Sequence, residues 1–225
     1  MRLSVVVPVL DEEACILQQL NDLSILKGVD ELIVVDGGST DRSVELARSA
    51  GARVVQSARG RGVQLNAGAR VASGEALLFL HADVRLPQEA PQEVRRVLAH
   101  HHAGAFRIRT VDRSGAHPLA PLLRVADLRS RFTSLPYGDQ ALFVRRQAFE
   151  AVGGYPDQPL LEDLELSRRL RALGPIARAR GCVEVSGRRF LAQPVRTALL
   201  WNLIPAAYRL GVSSERLARI YGVVR

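Results

Sequence analysis

The chain has 225 residues, 47% hydrophobic and 24% charged, a balance that suits one globular domain with a substantial core and leaves no segment polar enough for a disordered tail. A formal net charge of +8 suits nucleic acid, anionic lipid or a phosphorylated substrate, and an arginine- and alanine-rich composition also fits a bias in genomic base composition. Lys27 is the only lysine, and the arginines are uneven: Arg168 to Arg225 holds twelve of them against only Glu184 and Glu215. Cys15 and Cys182 match no metal or redox spacing and read as reduced thiols of a cytoplasmic protein. The N-terminus enters the fold at Leu3 without the pattern of a secretory signal. The longest late apolar stretch, Thr197 to Val212, is interrupted by Asn202, Pro205 and Arg209 and is too short to span a bilayer.

Leu3 to Val9 is rich in β-branched residues and predicts a strand, followed by a turn at Asp11-Glu12-Glu13 and a helix over roughly 12–26. Glu31 to Asp36 predicts a second strand, and Gly37-Gly38-Ser39-Thr40-Asp41 leads into a second helix. Ala52 to Gln56 predicts a third strand, with Arg59-Gly60-Arg61-Gly62 before a helix over about 63–72. Ala76 to Leu80 is an unbroken apolar run, expected as a strand buried on both faces, and it ends at His81-Ala82-Asp83. Alternating strands and helices at these spacings indicate right-handed crossover units and an α/β fold with a mostly parallel sheet. Beyond Pro87 a helix over 88–100 leads to an alternating strand, Gly104 to Thr110, of an antiparallel or mixed kind. The pattern loosens over 112–136, read as a variable, substrate-facing insertion, before a strand over 140–145 and a short helix over 147–152. Leu160 to Leu173 predicts an amphipathic helix stopped by Gly174-Pro175, Ile176 to Val185 a strand, and two helices finish the chain.

Ligands of open α/β sheets bind beyond the carboxyl ends of the strands, which gathers Asp11, Asp36 and Asp83 at one edge. Asp36 suits a hydrogen bond to a ribose hydroxyl or a base edge, and Asp11 could do the same, although Asp11 and Asp41 also suit helix capping. Arg59 and Arg61, beside flexible glycines and a helix start, could hold a diphosphate. Neither a dinucleotide fingerprint nor a P-loop occurs. Asp83 suits a hard divalent cation, Mn²⁺ or Mg²⁺, and His81 stands beside it as a second, weaker candidate ligand. His100-His101-His102 reads as a helix end, since three consecutive histidines cannot all face one ion. Glu162 and Asp163 begin a helix, where an acid serves as a cap or as a general base.

Together these stretches resemble family 2 glycosyltransferases of the A-type, Rossmann-like fold. The likeness lies in Val5-Val-Val-Pro-Val-Leu-Asp-Glu-Glu13, Ile33-Val-Val-Asp-Gly-Gly-Ser-Thr-Asp41, Arg61-Gly-Val-Gln-Leu-Asn-Ala-Gly68, His81-Ala82-Asp83 in place of a D-x-D motif, and Leu161-Glu-Asp-Leu-Glu-Leu-Ser-Arg-Arg169. Tyr137-Gly-Asp-Gln140 and the His-Ala-Asp variant are most similar to the bacterial subgroup called radical-SAM/selenodomain-associated glycosyltransferases. The resemblance implies one domain with a nucleotide-binding half over 1–87, an acceptor and catalytic half over 88–190, and C-terminal helices over 191–225. It implies a nucleotide-sugar site of Pro8, Asp11, Glu13, Asp36, Gly37, Arg59, Arg61, Asn66, His81, Ala82 and Asp83, with metal at Asp83. Asp163, with Glu162 beside it, would be catalytic; Asp139 and Gln140 would lie near the sugar or acceptor, and Arg188 and Arg189 are candidates for the diphosphate.

The expected activity is therefore metal-assisted, inverting transfer of a sugar from a nucleotide-diphosphate donor to an acceptor hydroxyl, free or lipid-linked, by a cytoplasmic enzyme. The rivals are nucleotidyl transfer and a basic module that binds RNA or a membrane surface without catalysis. Few aromatics are available for base stacking, so no nucleic-acid partner is expected. Residues 197–212 are read as a helix packed on the core, the alternative being peripheral membrane contact through Trp201, Tyr208 and nearby arginines.

Overall fold

Strand order, more than any single element, decides where this chain's chemistry can sit. The computed structural model describes residues 1–112, 123, 127 and 135–222, apart from the side chains of Arg188 and Arg189. The first half is β1 (Leu3–Val9), α1 (Glu13–Ser24), β2 (Glu31–Asp36), α2 (Ser43–Ser49), β3 (Arg53–Gln56), α3 (Arg61–Val71), β4 (Ala76–Phe79) and β5 (Val84–Arg85). The second half is α4 (Ala90–Leu98), β6 (Ala103–Val111), a 3₁₀ turn at Gly138–Gln140, β7 (Phe143–Arg145), α5 (Arg146–Ala151), α6 (Glu162–Leu173) and β8 (Ala177–Ser186). Three helices follow: α7 (Arg188–Ala192), α8 (Pro194–Arg209) and α9 (Ser214–Tyr221).

Among the described residues the strands form one eight-stranded sheet in the order β3-β2-β1-β4-β7-β6-β8-β5. β3, β2, β1 and β4 are mutually parallel, β7 runs against both β4 and β6, and β8 runs parallel to β6 and against β5. The sheet is thus mixed and mostly parallel, and the strand over 103–111 is mixed in its pairing. Most of the expected insertion over 112–136 lies outside the described residues.

Alternation along the central strands divides the core between the two sheet faces. Val5, Val7 and Leu78 pack on one face with Ile16 and Leu20 of α1 and Val94 of α4. Val6, Ile33, Leu77 and Phe79 pack on the other with Leu65 of α3 and Leu166 and Leu170 of α6. Both faces are covered, which is why β4 is apolar at every position. Helix α3 approaches the sheet so closely that a Cβ on Gly68 would lie 2.3 Å from Val6 Cγ1 and 2.8 Å from Val35 Cγ2. Arg146 fixes the far end of that helix by donating to the carbonyls of Ala69, Ala72 and Gly74. A third cluster, Leu160, Leu161, Leu164, Ile204 and Leu217, seats α8 and α9 against the start of α6.

Although alanine is the better helix former, Gly68→Ala should destabilise the fold by about 1–3 kcal/mol through overpacking. A urea unfolding midpoint left unchanged would show that α3 can move off the sheet.

Candidate active site

The loops after β1 and β2 fasten to one another. Asp11 Oδ1 accepts the Thr40 N–H at 2.8 Å, and the Asp11 N–H donates to Ser39 Oγ at 3.0 Å. Glu13 N–H donates to Asp41 Oδ2, and Arg42 N–H donates to Glu13 Oε2. Asp36 is buried and accepts the Gly38 and Ser39 amides of its own loop. Beneath this clasp the buried Gln64 Nε2 donates to the carbonyls of Val9 and Val35, each at 2.9 Å, pinning the ends of β1 and β2 to α3. Gly37 sits against that amide, where a Cβ would come within 3.0 Å.

A cavity of about 560 Å³ opens beside this clasp, at the ends of β1 and β4 and against α3, α6 and α8. Of the expected site residues, Pro8, Arg61, His81, Ala82, Asp83, Asp139, Glu162 and Asp163 line it. Helix α3 begins at Arg61, two residues earlier than its sequence suggests. The guanidinium therefore leaves the helix's first turn and meets α6, with Nε 2.8 Å from Glu162 Oε1. Glu162 is 3% exposed, whereas the 39% exposure of Arg61 faces the cavity rather than open solvent. Burial pushes the Glu162 carboxyl up, against the pull of Arg61 and with the neighbouring Asp163 adding to the rise. Glu162 in turn raises the Arg61 guanidinium. The arginine expected at a diphosphate is here committed to a carboxylate at the start of α6.

Asp163 is held from two sides. Its Oδ2 accepts the Gly138 N–H and its Oδ1 accepts the Leu164 N–H at 2.7 Å. A Cβ on Gly138 would lie 2.7 Å from His81 Nε2 and 3.1 Å from Asp163 Oδ2, so the end of β4, the 3₁₀ turn and the start of α6 converge on one spot where a larger residue would displace the His81 ring. Asp11, Ala141 and Leu161 are the described non-glycine residues with positive φ, at 53°, 46° and 64°. All three lie beside residues expected to act, which is where backbone strain concentrates.

The remaining expected residues stand apart from the cavity wall. Asn66 clamps the chain instead: its Nδ2 donates to the Tyr155 carbonyl and its Oδ1 accepts the Tyr155 N–H, both at 2.9 Å. Arg59 stays at the exposed turn before α3, and Asp11, Glu13, Asp36 and Gly37 form the clasp next to the cavity. Gln140 is buried, and its Nε2 has no hydrogen-bond partner among the described residues. The side chains of Arg188 and Arg189 lie outside the described residues. Gln64, like Thr110 and Gln193, is among the cavity residues that the sequence did not single out. Its signal is a polar side chain one turn after Arg61 on the face that carries Gly68 onto the sheet. His102 Nε2 lies 3.0 Å from the Leu170 carbonyl, a helix-end contact.

A divalent cation fits the donor set without being caged by it. Asp83 offers a carboxylate and His81 an imidazole, and no cluster of three or more such ligands occurs among the described residues. Mg²⁺ and Mn²⁺ commonly take one or two protein ligands and complete their shells with phosphate oxygens and water.

Arg61→Met should cost about 3 kcal/mol at neutral pH by leaving Glu162 buried without its cation, and Glu162→Gln added to it should return most of that loss. In the single variant the Glu162 carboxyl is raised above its unfolded value of about 4.3. Its contribution is then full below that value and is lost as pH rises through the folded one, so the cost shrinks between pH 7 and pH 5. Urea unfolding at the two pH values reads both effects.

The sequence matches the model of a family described as glycosyl transferase family 2 over residues 4–153. The glucosyl-3-phosphoglycerate synthase of Mycobacterium tuberculosis is 38% identical over 96 residues, which is 38% of this chain and 30% of that protein. The crystal structure of that synthase with Mn²⁺, uridine diphosphate and phosphoglyceric acid superimposes with a TM-score of 0.56 at 25% identity, over 79% of this chain and 67% of that one. The mannosyltransferase PcManGT from Pyrobaculum calidifontis, in complex with GDP-Man and Mn²⁺, gives 0.66 at 22% identity over 94% and 65%. TarS 1-349 of S. aureus with UDP-GlcNAc gives 0.64 at 19% over 83% and 58%. The matched stretch thus spans under a third of the curated synthase, but the family model covers more than half of this chain, which belongs to glycosyl transferase family 2.

Proposed function

We propose that the enzyme transfers a sugar from a nucleoside-diphosphate donor to an acceptor hydroxyl by a single displacement with inversion. The observation that carries this reading is the position of Asp163, fixed by the Gly138 and Leu164 amides in the same cavity as Asp83 and His81. The solved relatives hold UDP, UDP-GlcNAc or GDP-Man, and some hold Mn²⁺ or Mg²⁺, which supports a donor of this class.

In the proposed reaction the acceptor oxygen bonds to the anomeric carbon while the bond from that carbon to the diphosphate oxygen breaks on the opposite face. The acceptor proton passes to Asp163, and the electron pair leaves with the nucleoside diphosphate. The two amides aim the carboxylate, so its geometry is set before the acceptor arrives. Asp83 with His81 would hold a divalent ion, whose charge would offset that of the leaving diphosphate. The β1 and β2 loops, through Asp11 and Asp36, form the natural seat for the nucleoside, and Pro8 and Ala82 line the cavity beside it. Each carboxylate already accepts backbone amides, which orients its remaining lone pairs. Asp139, which lines the same cavity, is assigned to the transferred sugar or the acceptor. The cytoplasm is the compartment we assign, since nucleotide sugars and reduced thiols are found there together.

Asp163→Asn should lower turnover by about 10²–10⁴-fold while donor binding stays within a few-fold, as measured by product formation and by calorimetry with uridine or guanosine diphosphate sugars. Turnover close to that of the unmodified enzyme would remove Asp163 from the proton transfer. Released pyrophosphate, in place of a nucleoside diphosphate, would mean nucleotidyl transfer.

A further inference from the structure

Helix α8 has two apolar faces, and among the described residues only one of them packs inside the molecule. At about 100° per residue, Thr197, Leu200, Trp201, Ile204 and Tyr208 fall on one side. That side lines the cavity or packs on the α6 start, and Trp201 stacks on Phe190 with ring centroids 5.7 Å apart. Trp201 and Tyr208, the rings named for the membrane-contact alternative, lie on this inner side and are half-buried, so the outer side of the helix is the one left open to a surface. The opposite side carries Val195, Leu199, Leu203 and Leu210, exposed by 73%, 55%, 60% and 86%, with Ala206 between them. Asn202 interrupts this stripe, but its amide donates to the Ala198 carbonyl one turn earlier. So long an apolar stripe is unusual on an exposed helix.

Charge decides what covers it. Arg209 flanks the stripe on one side of the helix and Arg196 on the other, both exposed, although Arg196 also donates to Gln193 Oε1 and borders the cavity. Arg216, Arg219 and the 62%-exposed Ile220 stand on α9, which packs beside α8 through Leu217. Glu215 is the only acid between Gly187 and Gly222. An apolar stripe with arginines along its margins is the pattern of a helix lying in the headgroup layer of an anionic bilayer. A nucleic acid would meet aliphatic side chains with nothing to stack on, and a second copy of this face would bring arginines against arginines. No helix among the described residues is long and apolar enough to cross a membrane, so the contact is peripheral.

We propose that the outer face of α8 docks this enzyme on an anionic membrane surface. The cavity wall is the inner face of the same helix, so docking holds the apolar end of the cavity, lined by Leu200, Trp201 and Ile204, about one helix diameter from the headgroups. The docking argument does not depend on the catalytic roles assigned above.

The test is flotation of the full chain with vesicles of phosphatidylcholine alone or with phosphatidylglycerol. Binding is expected only with phosphatidylglycerol and should fall severalfold in high salt. Leu199→Asp with Leu203→Asp should weaken it by about tenfold or more while the Tm and diphosphate binding stay unchanged, which separates this result from a failure of the catalytic reading. Leu199→Met with Leu203→Met should bind as the unmodified chain does. The proposal is overturned if the anionic vesicles are not bound, if the aspartates leave binding intact, or if they convert a dimer to a monomer without any vesicle binding. Retention on RNA in the absence of vesicle binding would also overturn it.

Discussion

The pair between Arg61 and Glu162 is the contact on which the site depends. Arg61 opens α3, the helix that Gln64 and Gly68 press onto β1 and β2, and Glu162 opens α6, the helix that delivers Asp163. One ion pair at 2.8 Å therefore sets the distance between the loops expected to hold the donor and the carboxylate expected to take the proton. A buried pair of this kind gains little stability over an apolar substitute, and its usefulness lies in allowing few alternative arrangements. The high-energy choice is visible in the carboxyl itself, which burial pushes up while the guanidinium holds it down.

Around that pair the sheet changes direction. β4 is the last strand of the parallel half, and β7 next to it runs the other way. His81 leaves the end of β4 while Gly138 to Gln140 enter the start of β7, so two segments distant in sequence arrive together at one edge. Their approach requires Gly138, and the turns out of it require the left-handed backbone at Ala141 and Leu161. Ala141 and Leu161 spend conformational energy that the packed core on both faces of the sheet can tolerate. The cavity is thus located by a reversal of topology, the place where open sheets form crevices.

Sequence made the repeating strand and helix order legible because the β-branched runs and the glycine turns are local signals. It also gathered the carboxylates to one edge, since strand direction alone puts Asp11, Asp36 and Asp83 there. Partners were not legible. Nothing near Arg61 in sequence announces Glu162, and a flexible arginine between glycines reads equally well as a phosphate ligand. Asn66 stands on the same helix as Arg61 yet turns to the Tyr155 backbone, a choice made by the chain segment packed against it. Helix α3 starts early because Gly60, at φ 136°, makes the turn, leaving Arg61 free to be the first helical residue. The three C-terminal helices were blurred into two, because Gln193 breaks the helix by a backbone turn with no glycine to mark it.

Helix α8 shows how burial and sequence periodicity can part company. Its residues are apolar on both sides, so no hydrophobic face stands out by periodicity, and the sequence alone favours packing on the core. The core takes only one side, through Ile204 and Leu200, and leaves the leucines at 199, 203 and 210 in contact with water. Folding alone gives no reason to keep these leucines exposed, because polar residues there would serve solubility better. The arginines at the margins of the stripe restrict the surfaces that would accept it to anionic ones. A helix that is at once a cavity wall and a surface anchor couples access to the site with the place where the enzyme sits.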